Sequence, residues 1–305
     1  MKILVLDDDF RRYQGLLSAA GVQTDAGSDP GAFTGSYDVL LGQPDLAAQF
    51  LQLGHCVPWV QSTWAGVDRL IPACQDPDMI VTGIKGVFGP QMAEYVFAFL
   101  LQQSRDLEAL LQQQRARVWS PSTPDTLVDK QMLILGTGSI GRHLAGVARA
   151  FGMQTLGVSR SGRSADHFNR VAVMDELAAV ATEARVVVNT LPSTPETRGV
   201  LNSNLFQALP DNAMLINPGR GDALCELSLR NWLDAKPYAR AVLDVFAREP
   251  LPADHWLWQH RQVAITPHVA AVSRPEDVVA VFLGNLQRWR ADQSLEHVID
   301  RQQGY

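Results

Sequence analysis

Short apolar runs recur along the 305-residue chain, each closed by polar, glycine or proline residues, and stretches with helix-spaced apolar positions lie between many of them. In the first third the runs are Ile3 to Leu6, Val39 to Leu41, Val57 to Val60 and Ile80 to Thr82, with turn-rich or helical spacers such as Pro44 to Leu53. That alternation predicts a small parallel sheet wrapped by helices over residues 1–100. A second series comprises Met132 to Leu135, Arg185 to Leu191, Ala213 to Asn217, Ala239 to Phe246 and Val263 to Thr266, and it predicts a second parallel sheet within 101–272. Between the two, a helical pattern runs from Gly89 and Pro90 to about Val118, with Val96, Leu100, Leu107, Leu111 and Val118 along one stripe. One helix of about 30 residues is longer than a small domain can cover, so it is expected to bridge domains or pack on a second copy. A homodimer is the favoured reading. Ser273, Arg274, Pro275 and Glu276 read as a capping box. It opens a last element, 273–305, whose Val279, Phe282, Leu283, Leu286 and Trp289 share a helical face and which is expected to return to the first domain.

The sharpest local signal runs from Gln131 to Arg142. The apolar Met132 to Leu135 lead straight into Gly136, Gly138 and Gly141 in GxGxxG spacing, and Ile140, Leu144, Val147 and Phe151 then recur at helical spacing. Strand, glycine turn and helix are the context a dinucleotide site requires. Gly136 permits the tight turn, Gly138 lets backbone approach a pyrophosphate, and Gly141 lets the helix lie close on the strand. The helix start, with Ser139 and Ile140, offers unpaired N–H groups to phosphate. The segment 153–165, around the end of the next strand, holds no acidic residue of the kind that takes an NAD ribose. Ser159, Arg160, Ser161 and Arg163 stand there instead, and hydroxyls with guanidinium forks suit a 2′-phosphate. The expected cofactor is therefore NADP(H).

In an open parallel sheet, ligands bind beyond the carboxyl ends of the strands. Leu191, Pro192 and Pro218 follow such ends and are assigned to the cofactor, as is Asp244. Arg220, Glu249 and His268 follow three further strand ends, and together they supply what hydride transfer to a 2-keto acid needs. Hydride arriving at a ketone carbon leaves charge on oxygen, which a protonated imidazole neutralises; His268 fits that task. Glu249 would fix the imidazole's tautomer and raise its basicity. Arg220 would anchor the acid through a bidentate fork.

Composition narrows the alternatives. A net charge of −6 leaves no electrostatic footprint for nucleic acid or an anionic membrane, and no apolar run approaches spanning length. Cys56, Cys74 and Cys225 are scattered, in no metal-ligand spacing, which argues for a reducing compartment and against a structural metal. The chain opens on a strand pattern rather than a leader, so a cytoplasmic setting is expected. The bland alternatives are a turn residue at Glu249, a solvated loop tip at Arg220 and a surface histidine at His268. Those three, with Asp244, would all have to fall by accident on neighbouring strand ends beside a dinucleotide turn.

The segments 136–141, 217–221, 243–251 and 265–270, with Ser62 to Asp68, resemble the D-2-hydroxyacid dehydrogenase family over nearly the whole chain. The resemblance implies two doubly wound α/β domains, a Rossmann dinucleotide-binding domain inserted in a smaller flavodoxin-like substrate domain. It implies Arg220 as substrate anchor, Glu249 and His268 as the acid–base pair, and Asp244 as a contact to the nicotinamide amide. Backbone N–H groups around Ala65 and Gly66 would hold the substrate carboxylate in a cleft between the domains. Trp64 would narrow the pocket toward two- and three-carbon acids, and Trp119 would reach a partner's site. Two departures stand out: Pro218-Gly219 precede Arg220 where the family has alanine, and Arg160 stands near the missing ribose-binding acid. The second makes the chain most similar to the family's NADPH-preferring reductases of glyoxylate and hydroxypyruvate. A dinucleotide-sensing scaffold of the corepressor kind and a dehydrogenase of another small anion, phosphite or formate, are the competing readings.

Overall fold

The computed structural model describes residues 1–301 and divides into two α/β units, Met1–Val87 with the chain from Ser273 onward, and Phe88–Val272. The first unit opens with β1 (Ile3–Leu6), α1 (Phe10–Ala19), β2 (Asp25–Gly27), β3 (Val39–Gly42), α2 (Pro44–Gln52), β4 (Trp59–Ser62) and β5 (Ile80–Thr82). Its sheet is parallel throughout and ordered β2-β1-β3-β4-β5, the doubly wound order found in flavodoxin-like folds. Every residue of β1, β3 and β4 is buried. Unbroken apolar runs such as Ile3–Leu6 suit strands covered on both faces, where an alternating pattern would place polar groups in the core.

The second unit comprises α3 (Gly89–Ser104), α4 (Leu107–Ala116), β6 (Gln131–Leu135), α5 (Ser139–Ala150), β7 (Gln154–Val158), β8 (Arg170–Ala172), α6 (Leu177–Val180), β9 (Ala184–Asn189), α7 (Ser203–Ala208), β10 (Met214–Asn217), α8 (Glu226–Ala235), β11 (Arg240–Leu243) and β12 (Val263–Ile265). Its seven strands are parallel and ordered β8-β7-β6-β9-β10-β11-β12, so the direction of winding reverses between β6 and β9. Alternate residues of β6 feed opposite cores: Leu133 and Leu135 pack with Phe206 and Trp232, while Met132 and Ile134 pack with Leu144 and Val96. The first unit then receives α9 (Pro275–Arg290), which packs on α1 and stacks Phe282 on Trp59 at 5.4 Å. Beyond α9, Ile299 N–H donates to Val81 O at 2.8 Å and Val298 pairs antiparallel with Thr82, covering the open edge of β5.

Three expectations are corrected. The long helix is two helices. Asp106 sits in the left-handed region at φ 51°, a conformation that Asp adopts more readily than most residues, and it ends the first axis after Ser104. The apolar stripe is divided as well: Val96 and Leu100 are buried beside α5, whereas Leu107, Leu111 and Val118 are exposed. Because α3 packs on α5, the units divide at Val87/Phe88 rather than near residue 100. The capping box at Ser273 does not form: Arg274 is the N-cap of α9, without a side-chain cap, and Glu276 turns instead to Arg12 of α1 at 3.0 Å.

Candidate active site

The glycine turn after β6 meets its steric demands at two points. Gly136 holds φ 100°, and a Cβ there would lie 2.7 Å from Thr190 Oγ1. A Cβ on Gly141 would lie 2.0 Å from Gly136 O, so only glycine lets α5 start against the turn. Gly138, the N-cap of α5, faces open space, with nothing within 4 Å of a Cβ position. An open cradle before a helix start, whose first N–H groups have no intrahelical partner, fits a pyrophosphate. Ser139 and Ile140 lie at that helix start.

The segment after β7 folds back on itself. Ser159 Oγ accepts from Gly162 N–H at 3.2 Å, Ser161 Oγ accepts from Arg163 N–H at 3.4 Å, and Gly162 takes φ 62°. Arg160 and Arg163 are exposed on this turn. Leu191 is buried after β9, its N–H donating to Asn189 Oδ1 at 3.2 Å, and Pro192 O accepts from Thr197 Oγ1 at 2.6 Å.

The loop after β10 is held by a pair of buried asparagines that the sequence analysis passed over. Asn189 Nδ2 donates to Asn217 Oδ1 at 2.8 Å; Asn217 Oδ1 also accepts from Gly219 N–H at 3.2 Å, and Asn217 Nδ2 donates to Arg220 O at 3.0 Å. Both are 0% exposed, so each bond also satisfies a group that would otherwise be stranded in the core. The available signal was two neighbouring strands, β9 and β10, each ending in Asn. Pro218 is buried in this loop, and Arg220 Nη1 reaches Gly219 O at 2.8 Å. A Cβ on Gly221 would lie 2.0 Å from the carbonyl carbon of Phe246, so the Arg220 loop rests on the backbone of the loop after β11.

That second loop carries Glu249, whose Oε1 accepts from Phe246 N–H at 2.9 Å and whose Oε2 lies 2.9 Å from His268 Nδ1. His268 follows β12 in the left-handed region at φ 57°, which costs a non-glycine residue of order 1–3 kcal/mol unless its surroundings fix it. Asp244 does so. It is 1% exposed; its backbone O accepts from His268 N–H, Oδ1 from Thr266 Oγ1 at 2.6 Å and Val269 N–H at 2.9 Å, and Oδ2 from Ala270 N–H at 2.9 Å. Tyr95 OH lies 2.6 Å from Thr266 Oγ1, and burial pushes its phenol well above the ordinary range. In every bond described here Asp244 places the histidine loop. With Glu249 on Nδ1, the imidazole's Nε2 is left to meet a substrate, and its side chain is half exposed.

Trp64, Ala65 and Gly66 belong to the first unit, directly after β4, with Trp64 and Ala65 exposed. Among the described residues no cluster of three or more His, Cys, Asp or Glu could hold a metal ion, and no helix is long and apolar enough to cross a membrane.

Residues 97–270 match the family model described as the NAD binding domain of D-isomer specific 2-hydroxyacid dehydrogenase. A glyoxylate/hydroxypyruvate reductase A from Escherichia fergusonii is 35% identical over 262 residues, 83% of each chain. A crystal structure of a D-isomer specific 2-hydroxyacid dehydrogenase family protein from Aeromonas salmonicida superposes with a TM-score of 0.92 at 38% identity, covering 98% of this chain and 99% of the other. An NADPH-dependent glyoxylate/hydroxypyruvate reductase from Sinorhizobium meliloti, solved with NADP and sulfate, superposes with a TM-score of 0.85 at 27% identity over the whole of both chains. With its glycine turn, its strand-end residues and more than half of its length matched in this way, the chain belongs to the D-isomer specific 2-hydroxyacid dehydrogenase family.

Proposed function

We propose that the protein is an NADPH-dependent reductase of small 2-keto acids, converting glyoxylate to glycolate and hydroxypyruvate to the D-2-hydroxy acid glycerate. The observation that carries this reading is the 2.9 Å contact between His268 Nδ1 and Glu249 Oε2, made from the ends of paired strands on the sheet that also bears the glycine turn. The E. fergusonii relative bears the name of this activity, and the S. meliloti structure holds NADP.

When bound, the dinucleotide supplies the hydride to the carbonyl carbon. His268 gives a proton from Nε2 to the carbonyl oxygen as charge develops there. Glu249 holds Nδ1, fixing the ring's tautomer and orientation so that Nε2 faces the carbonyl oxygen. Arg220 anchors the keto acid, its guanidinium pairing with carboxylate and carbonyl oxygens. Gly136, Gly138, Ser139, Ile140 and Gly141 take the pyrophosphate, and Leu191, Pro192 and Pro218 line the cofactor's path. Ser159, Arg160, Ser161 and Arg163 take the 2′-phosphate, whose two negative charges an acidic residue in this turn would repel. The assignment of Trp64, Ala65 and Gly66 to the substrate, and of Asp244 to the nicotinamide amide, rests on the family resemblance.

A panel of small 2-keto acids, each with NADPH and with NADH while the reduced cofactor's absorbance is followed, tests the reading. Turnover of glyoxylate or hydroxypyruvate with NADPH preferred is expected; silence across the panel from protein that binds NADPH would refute it. The same reading includes a homodimer in a reducing, cytoplasmic setting. Its support is α4, which buries no residue and exposes Leu107, Leu110 and Leu111, with Val118 and the 95% exposed Trp119 just beyond. Sedimentation should give about twice the 33.5 kDa chain mass, and Leu111→Glu should lower it.

A further inference from the structure

β4 and the residue after it hold three consecutive polar side chains, Gln61, Ser62 and Thr63, each 0% exposed. Burying a hydroxyl without a partner costs about 1–3 kcal/mol, so the partners here reveal what the site is built to hold. Gln61 spans β4, β5 and α9: its Nε2 donates to Gly83 O at 3.0 Å, and its Oε1 accepts from Thr82 Oγ1 at 2.8 Å and Asn285 Nδ2 at 3.3 Å. Ser62 and Thr63 act on the loop that follows. Ser62 Oγ clasps Trp64 at both backbone groups, donating to its O at 2.8 Å and accepting from its N–H at 3.0 Å. Thr63 Oγ1 donates to Asp7 Oδ2 at 3.0 Å, and Asp7 Oδ1 accepts from Asp9 N–H, also at 3.0 Å.

The far end of the loop is fixed as firmly. Val67 is 2% exposed, and its O accepts from Leu70 N–H at 2.9 Å and Ile71 N–H at 3.0 Å. Between the clamped ends, the N–H groups of Ala65 and Gly66 meet no acceptor among the described residues. Consecutive main-chain N–H groups without an internal acceptor are donors suited to an anion. A carboxylate at the end of β1, 7% exposed, offers no packing advantage over an apolar side chain of its size; burial pushes it above the usual carboxylate range, against the pull of the Asp9 N–H and Thr63. What it adds is a partner for Thr63, pinning the residue from which the loop departs.

Resting on the reductase reading, we infer that Asp7 and Thr63 are positioning residues that hold the main-chain donors of Ala65 and Gly66 in place for the substrate's carboxylate. Their effect falls on substrate binding, since the carboxylate is held alike before and during the reaction. Thr63→Val, equal in shape and lacking the hydroxyl, and Asp7→Ala should each raise KM for glyoxylate about tenfold. Both should leave kcat within about twofold and KM for NADPH unchanged. Asp7→Asn should stay near wild type: its Oδ1 can accept from Asp9 and its amide can donate to Thr63 Oγ1. A purely structural role would lower the melting temperature or the active fraction and leave KM of the surviving enzyme as it was. If Asp7→Ala does not fold, Thr63→Val carries the test. Wild-type KM in the variants, with wild-type protein turning over glyoxylate, overturns this inference alone. No glyoxylate turnover by wild type overturns the reductase reading, and this inference with it.

Discussion

The two parallel sheets brace the loops at their carboxyl ends in the same way and differ in what those loops carry. At the end of β4 the buried side chains of Ser62 and Thr63 partner Trp64 and Asp7, and the N–H groups of Ala65 and Gly66 that follow meet no acceptor among the described residues. At the ends of β10 and β11 buried Asn217 and Asp244 likewise hold backbone groups, but the loops beyond β10, β11 and β12 carry the ionisable side chains Arg220, Glu249 and His268. The first loop carries main-chain donors, which under the proposed function would bind an anion that does not change. The second offers titratable side chains, suited to a centre whose charge changes during reaction. Under the proposed function, the first loop would bind the substrate's carboxylate and the second set would transfer the proton.

This contrast can be broken most severely at the proton donor. His268→Ala should lower kcat by about 10² to 10⁴, with the NADPH dissociation constant unchanged by fluorescence titration; retained turnover would remove the second sheet's distinctive role. Arg160→Ala is next. Losing charged hydrogen bonds worth roughly 1.5–3 kcal/mol should raise KM for NADPH about 10- to 100-fold while leaving KM for NADH in place, and equal effects on both cofactors would sink the 2′-phosphate assignment. Glycines sharpen the comparison at smaller cost. Gly221→Ala forces a methyl onto the Phe246 backbone and should cost about 1–3 kcal/mol in thermal unfolding, whereas Gly138→Ala, in open space, should keep the melting temperature and weaken NADPH binding.

The smallest effect concerns pH. Burial raises the Asp7 carboxyl above its ordinary value of 3.8, so as pH rises the unfolded chain releases this proton first, and ionisation then works against folding. Asp7→Asn should therefore raise the melting temperature at neutral pH, with the gain fading as pH falls through the raised value toward 3.8. A gain that grew on acidification would contradict the sign.

The strongly patterned parts of this fold were legible. Met132–Leu135 with its glycines marks the strand, turn and helix that the structure has there, and Arg220, Glu249 and His268 stand out after strand ends in residue type and spacing alone. The edge strands Asp25–Gly27 and Arg170–Ala172 were not: three residues long and partly exposed, they lack the apolar run that marks a buried strand. The helix break at Asp106 escaped because the apolar period continues through it, and only backbone geometry separates a core stripe from the exposed face of α4. The supporting asparagines and the Asp7–Thr63 pair were hidden for a further reason. A buried polar residue reads as a solvated loop until its partner, distant in sequence, is known.

Reduction of hydroxypyruvate by wild-type protein with NADPH, followed by determination of the product's configuration, tests the proposed chemistry most directly. The proposed function predicts turnover that consumes NADPH and yields D-glycerate. L-glycerate, or a cofactor-loaded protein that leaves hydroxypyruvate untouched, would contradict it.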